Sequence, residues 1–349
     1  MPSWIGPRKS CGRTNMEPDL GEFELIRRFF VRGDTAARDP NVLLGIGDDA
    51  ALLHVPQGMD LVVSVDTIVV GRHFPEGADA RSIGHRALAV NLSDMAAMGA
   101  TPAWATLALT MPDADSDWLE KFAAGFLDLA DAHSVALVGG DTTRGPLTVS
   151  VQILGSVPHG SALRRGGGQA GNILAVSGTL GDAAAGLALL QAPPATRYSP
   201  DAEALIQRYD YPVPRVQLGQ AARGIATAAM DLSDGLIGDL PKLADASGVA
   251  AHVDIEALPL SRAMRHSVSL SQARDWALAG GDDYELLFAV PANRFTELQG
   301  AADQLNLTLT PIGELHAGAG VTWSLNGQDF APRVSGYDHF GRASTQITV

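Results

Sequence analysis

Short apolar runs alternate along the chain with segments in which apolar residues recur every three or four positions. LVVSVD (61–66), ATLAL (105–109), VALVGGD (135–141) and LTVSVQILGSV (147–157) read as strands. Between them lie a helix from about Ser82 to Gly99 and another near 116–132. The turn-rich stretch PHGSALRRGGGQAG (158–171) marks a domain junction. Beyond it NILAVSG, ATAAMD and ELLFAV read as strands, and GDAAAGLALL and GLIGDLPKLADAS as helices. VTWSLNGQDF carries the two-residue Asn326-Gly327 hairpin signal. The pattern predicts a mixed α/β (α+β) fold of two domains, residues 16–160 and 161–349. Near the start, Phe23, Ile26 and Phe30 stand at helical spacing, whereas residues 1–15 are polar and rich in turn formers. The expectation is a disordered extension over 1–15, with Met16 as the native start.

Composition narrows the function. Hydrophobic residues make up 46% and charged ones 18%, a globular balance. Lys plus Arg number 25 against 39 acids, and the only lysines are Lys9, Lys121 and Lys242, so no nucleic-acid partner is expected. Cys11 is the single cysteine, which rules out an intrachain disulfide or a cysteine zinc cage and fits a reducing cytoplasm. No apolar run reaches the roughly 18 residues of a membrane span, and the N-terminus lacks a signal core.

The acids change the picture. In the helix near Ser82–Gly99, Ile83, Ala87 and Val90 form the apolar stripe, and Asp94 falls in its middle. A carboxylate there needs a partner, because burying it alone costs several kcal/mol; the alternatives are a buried ion pair, a helix that ends earlier, or a bound metal. Asp66, Asp141 and Asp231 each close an apolar strand, where open α/β sheets place ligands. Asp48 and Asp49 in GIGDD, Asp234 in DLSDGL, and Asp282 and Asp283 in GGDDYE complete a set of acids at glycine turns or strand ends. Singly each is a turn former or cap. Together they would repel unless cations neutralise them, and all-oxygen ligands suit magnesium. Magnesium held in this way usually shares its shell with substrate phosphates. The P-loop pattern GxxxxGK[ST] is nevertheless absent. Arg72, Arg144, Arg164 and Arg165 could supply positive charge, although the paired arginines also fit a solvated linker. NLSD precedes GGD by 47 residues in the first half and DLSD precedes GGD by 48 in the second, a spacing that raises an internal duplication.

The ordered motifs GEFELI, GIGDDAA, VDTIVVGRHF, AVNLSDMAAMGATP, LVGGDTT, VSGTLGDAAAGL, MDLSDGL, GGDDYELLF and GYDHF resemble the thiamine-monophosphate kinase family. That family belongs to a superfamily that includes aminoimidazole ribonucleotide synthetase. The resemblance implies an ATP-dependent kinase that converts thiamine monophosphate to thiamine diphosphate with several Mg²⁺ ions. It also implies a homodimer whose N-terminal-domain strands pair across subunits. Carried over by position, Asp49, Asp66, Asp94, Asp141, Asp231 and Asp234 would bind metal, and Asp94, Asp141, Arg165 and Asp231 would act in catalysis. Gly140, Asp141, Arg165 and Ser233 would contact the nucleotide; His73, Asp282 and Tyr337 would hold thiamine monophosphate. Where the family often carries an aromatic nucleotide contact, this chain has Ala123, and GGDD stands for the more usual GGED. The rivals are another ATP-using enzyme of the superfamily and a non-catalytic nucleotide- or metal-binding regulator. The chain ends GRASTQITV, without the C-terminal cysteine that a hydrogenase-maturation dehydratase needs.

Overall fold

The computed structural model describes residues 22–32, 39–193 and 199–337, so Met16 and the 1–15 extension lie outside the described residues. The predicted first helix is present as α1 (Glu22–Leu25), continued by a π-turn over Ile26–Phe30 that buries Phe30. Strands β1 (Val42–Leu44) and β2 (Leu52–Leu53) form a small antiparallel pair around the GIGDD turn.

A four-stranded sheet follows, built from β3 (Met59–Val69), β4 (Thr101–Met111), β5 (Ala136–Arg144) and β6 (Thr148–Pro158) in the order β3-β6-β4-β5. Only β4 and β5 run parallel. Two of these strands outrun the sequence reading. Asp66 and Asp141 lie inside β3 and β5, because pairing continues past them to Val69↔Thr148 and Met111↔Arg144. An acid does not stop a strand when the neighbouring strand keeps pairing and its carboxyl finds a partner: Asp66 lies on the helix-covered face with Ser64 and Ile68 and meets Asp94, whereas Asp141 is exposed. Along β3 the alternation is visible as exposed Leu61, Val63 and Val65, which are 47%, 48% and 62% accessible on the sheet's edge strand.

Helices α2 (Ala80–Ala97) and α3 (Ser116–Ala132) cover this sheet, capped by Asp79 and Asp115, whose carboxylates accept backbone N–H bonds in the first turn. The pair pack backbone to backbone. A Cβ on Gly84 would lie 2.0 Å from the Phe122 carbonyl oxygen, and one on Gly125 would lie 1.9 Å from that of Arg81. Ala123 is buried in this contact.

The second unit is a seven-stranded sheet of order β13-β12-β9-β11-β7-β10-β8. Its strands are β7 (Asn172–Ser177), β8 (Ala228–Leu232), β9 (Ala250–Asp254), β10 (Glu285–Pro291), β11 (Leu309–His316), β12 (Gly320–Leu325) and β13 (Gln328–Phe330). The Asn326-Gly327 hairpin joins the last two, with both residues at positive φ as a primed two-residue turn requires. Around it pack α4 (Asp182–Gln191), α5 (Pro200–Asp210), α6 (Val216–Ala222) and α7 (Leu236–Ser247), then α8 (Arg262–Ser267), α9 (Leu270–Ala279) and α10 (Phe295–Gln304). Helix α6 seats on α2 through Gly219, where a Cβ would meet the Ala96 carbonyl oxygen at 1.9 Å. Helix α2 is thereby held between the four-stranded sheet and the second unit. The NLSD and DLSD strings differ in setting: the first lies within α2, the second runs from the end of β8 into a loop.

Candidate active site

Acids from both units meet where α2 faces β8. Asp94 in α2 and Asp66 in β3 share a carboxyl–carboxyl hydrogen bond, and the Ser64 hydroxyl donates to Asp94 Oδ2. One residue before Asp94, the Ser93 hydroxyl reaches across to Asp231 Oδ2 at 2.8 Å. Burial, then the nearby Asp94 and Asp234 charges, push the Asp66 carboxyl up to about 6. Burial and Asp94 push Asp231 to about 7. Asp94 is also raised by burial, against the opposing pull of Ser64 and Arg165. Such crowding is what an incoming cation relieves. A cavity of about 190 Å³ opens beside these groups, lined by Ser64, Asp94, Arg165 and Asp231 together with apolar side chains.

The DLSD loop is fixed by residues that the sequence reading passed over. Asp239 in α7 accepts the backbone N–H groups of Ser233 at 3.0 Å and Asp234 at 2.9 Å. Lys242 Nζ bridges Asp234 Oδ2 at 2.7 Å and Asp239 Oδ1 at 2.9 Å. Backbone bonds from Asp282 to Ser233 (2.9 Å) and from Tyr337 to Asp234 (3.2 Å) draw the GGDDYE loop and the C-terminal segment onto it. The Arg165 carbonyl accepts from Ser247 at 3.0 Å, which anchors the glycine-rich loop beside Asp94.

Asp49 and Asp141 stand apart from this network, and both are exposed. The Asp49 N–H donates to Asp48 Oδ1 at 2.8 Å, so Asp48 serves its own turn. Gly140 has φ +154°, and a Cβ on it would sit 1.9 Å from the Leu107 carbonyl oxygen; only glycine lets β5 approach β4 there. Among the described residues, no three His, Cys, Asp or Glu side chains are gathered tightly enough to enclose a metal ion. What the site offers is the Asp66–Asp94 pair flanked by Asp231 and Asp234. An all-oxygen set of that kind fits Mg²⁺, which is bound by one or two carboxylates while phosphates and water complete its shell.

The remaining predicted residues form a second, connected group. His73 Nδ1 accepts the Val69 N–H at 3.0 Å, which leaves Nε2 as the protonated nitrogen of a neutral ring. The Tyr209 hydroxyl donates to the His73 carbonyl at 3.0 Å. The Tyr209 ring lies 4.3 Å from the guanidinium of buried Arg86 in α2, and Arg86 ion-pairs with Asp282. Asp282 and Tyr284 have φ of +70° and +50°, a conformation that non-glycine residues hold only where surrounding contacts enforce it. Tyr337 is half exposed next to Asp234. Arg86, Ser93, Asp239 and Lys242 were all missed from sequence. For Arg86 and Ser93 the available signal was a polar residue on the otherwise apolar stripe that carries Asp94.

Comparison with known proteins gives this arrangement its context. Residues 47–157 match the family model described as AIR synthase related protein, N-terminal domain, and residues 169–325 match the corresponding C-terminal domain. The chain is 48% identical over 321 residues to a thiamine-monophosphate kinase of Salmonella typhimurium, covering 92% of this chain and 98% of that one. A crystal structure of thiamine-monophosphate kinase from Stenotrophomonas maltophilia superposes with TM-score 0.79 at 50% identity, over 84% of this chain and 95% of that one. AaThiL, solved complexed with AMPPCP and TMP, superposes with TM-score 0.72 at 31% identity, over 94% and 100%.

Proposed function

The chain belongs to the thiamine-monophosphate kinases of the AIR synthase related family, and from that premise we propose how its acid-lined cleft carries out the reaction. The protein phosphorylates thiamine monophosphate to thiamine diphosphate with ATP as co-substrate. Gly140, Asp141, Arg165 and Ser233 hold the nucleotide. His73, Asp282 and Tyr337 hold thiamine monophosphate. Asp49, Asp66, Asp94, Asp141, Asp231 and Asp234 would hold several Mg²⁺ ions, which when bound neutralise the charge spreading over the transferred group.

In this reading an oxygen of the acceptor phosphate attacks the γ-phosphorus in line, the bond to the β,γ-bridging oxygen breaks, and ADP leaves. The acceptor oxygen is ionised near neutral pH, so no general base is needed and no phosphoenzyme forms. Arg165, next to Asp94, stabilises the moving charge, and the carboxylates of Asp94, Asp141 and Asp231 are the catalytic groups that act with it. The observation that carries the proposal is the meeting of acids from both units: Asp66 and Asp94 from one, Asp231 and Asp234 from the other. It is supported by the AMPPCP and TMP bound to AaThiL.

The proposal extends to the assembly. The exposed Leu61, Val63 and Val65 on edge strand β3 offer an apolar face for pairing with a second subunit as a homodimer. Units 16–160 and 161–349 are its two domains. A cytoplasmic setting rests on the single cysteine; among the described residues no helix is long and apolar enough to cross a membrane. The test is Mg²⁺-dependent formation of thiamine diphosphate by the native protein and by Asp49→Asn. The expected result is a loss of about 100-fold in turnover for the variant; equal rates would remove Asp49 from the site.

A further inference from the structure

We propose that Arg86 is a positioning residue that fixes Asp282 for thiamine monophosphate and ties that end of the cleft to the helix carrying Asp94. The inference rests on the functional reading above, in which Asp282 contacts thiamine monophosphate. Arg86 is 2% exposed and comes from the first unit, whereas its partners Asp282, Tyr209 and Tyr284 come from the second. Its Nη2 ion-pairs with Asp282, its Nη1 donates to the Tyr209 carbonyl at 2.5 Å, and its guanidinium lies over the rings of Tyr209 at 4.3 Å and Tyr284 at 5.9 Å. A purely structural ion pair in a core would have its donors satisfied. Here Nε finds no acceptor among the described residues, a costly omission for a buried cation. The cation is therefore held there for what it does to Asp282.

Three features make that effect specific. Asp282 sits at φ +70°, and its Oδ1 accepts from the Tyr284 hydroxyl at 3.2 Å. Arg86 adds a fixed positive charge that aims the Asp282 carboxylate. Arg86 and Asp94 also lie eight residues apart on α2, about two turns along one face. The position of the acceptor substrate is thus referenced to the helix that bears Asp94. Tyr209 extends the same frame to His73, since its hydroxyl holds the His73 carbonyl while its ring stacks on Arg86.

The test measures KM for thiamine monophosphate and KM for ATP separately in the native protein, Arg86→Lys and Arg86→Met, with thermal unfolding recorded for each. Direct calorimetric binding of thiamine monophosphate in the presence of AMPPCP accompanies the kinetics. A positioning role predicts that Arg86→Met raises KM for thiamine monophosphate about tenfold or more, leaves KM for ATP within about twofold, and weakens calorimetric binding in proportion. Arg86→Lys, which keeps the charge but loses the fork and the stacking, should fall between the two. If Arg86→Met does not fold, Arg86→Lys decides alone. Unchanged KM for thiamine monophosphate, or equal changes in both KM values, overturns the proposal. A native protein that forms no thiamine diphosphate would instead overturn the functional reading beneath it.

Discussion

Asp231 is under electrostatic stress, since it is buried, faces Asp94 and has a carboxyl pushed up to about 7. An acid whose folded value is raised above its unfolded one burdens the folded state from the pH at which the unfolded chain ionises, and the burden grows until the folded group ionises too. Below the unfolded value, near 4, both states are protonated and the burden is absent. As pH rises through about 7 the buried carboxylate forms, and this group's contribution to stability is lost. Asp231→Asn removes the charge while keeping an acceptor for Ser93. In metal-free buffer, the melting temperature of Asp231→Asn should gain on that of the native protein as pH goes from about 5 to about 8; a difference independent of pH would contradict the account. At this scale, much of the site was legible, because Asp94 on an apolar helix stripe is an anomaly that periodicity exposes. Lys242 and Asp239 were not legible, since each is an ordinary helix-surface residue until the loop at Ser233 folds back onto it.

Among the elements, α2 sets the geometry, because two other helices approach its backbone at Gly84 and at Ala96. Gly125 in α3 makes the reciprocal contact, and a methyl group there would collide with the Arg81 carbonyl oxygen. Gly125→Ala should destabilise the fold by about 1–3 kcal/mol in urea denaturation, as overpacking usually does. It should also lower activity by shifting Asp94. A variant as stable as the native protein would show that the helices can part without cost. Helices α2 and α3 and the hairpin at Asn326-Gly327 were read from sequence because each has a local cause: a stripe, a cap, a turn dipeptide. The ends of β3 and β5 were read short. In the sequence Asp66 and Asp141 look like stops, whereas strand pairing is decided by the neighbouring strand and not by one acid.

For the whole molecule, the meeting of Asp94 with Asp231 joins residues more than 130 positions apart, which no periodicity reveals. The resemblance of ordered motifs anticipated it; composition and spacing gave only a set of misplaced acids. The apolar face of β3 is likewise a property of the assembled sheet. If the proposed homodimer forms through this face, Val63→Lys with Val65→Lys should shift the protein from dimer to monomer in sedimentation analysis at micromolar concentration; a native protein that sediments as a monomer would refute the assembly. The claim that acids of both units act together on phosphate is tested most directly by phosphorus NMR of ATP and thiamine monophosphate with native protein and with Asp94→Asn. With Mg²⁺, the native protein should form thiamine diphosphate and ADP in equal amounts, and Asp94→Asn should be slower by about 100-fold or more. Undiminished turnover in Asp94→Asn, or no thiamine diphosphate from native protein that binds ATP, would contradict it.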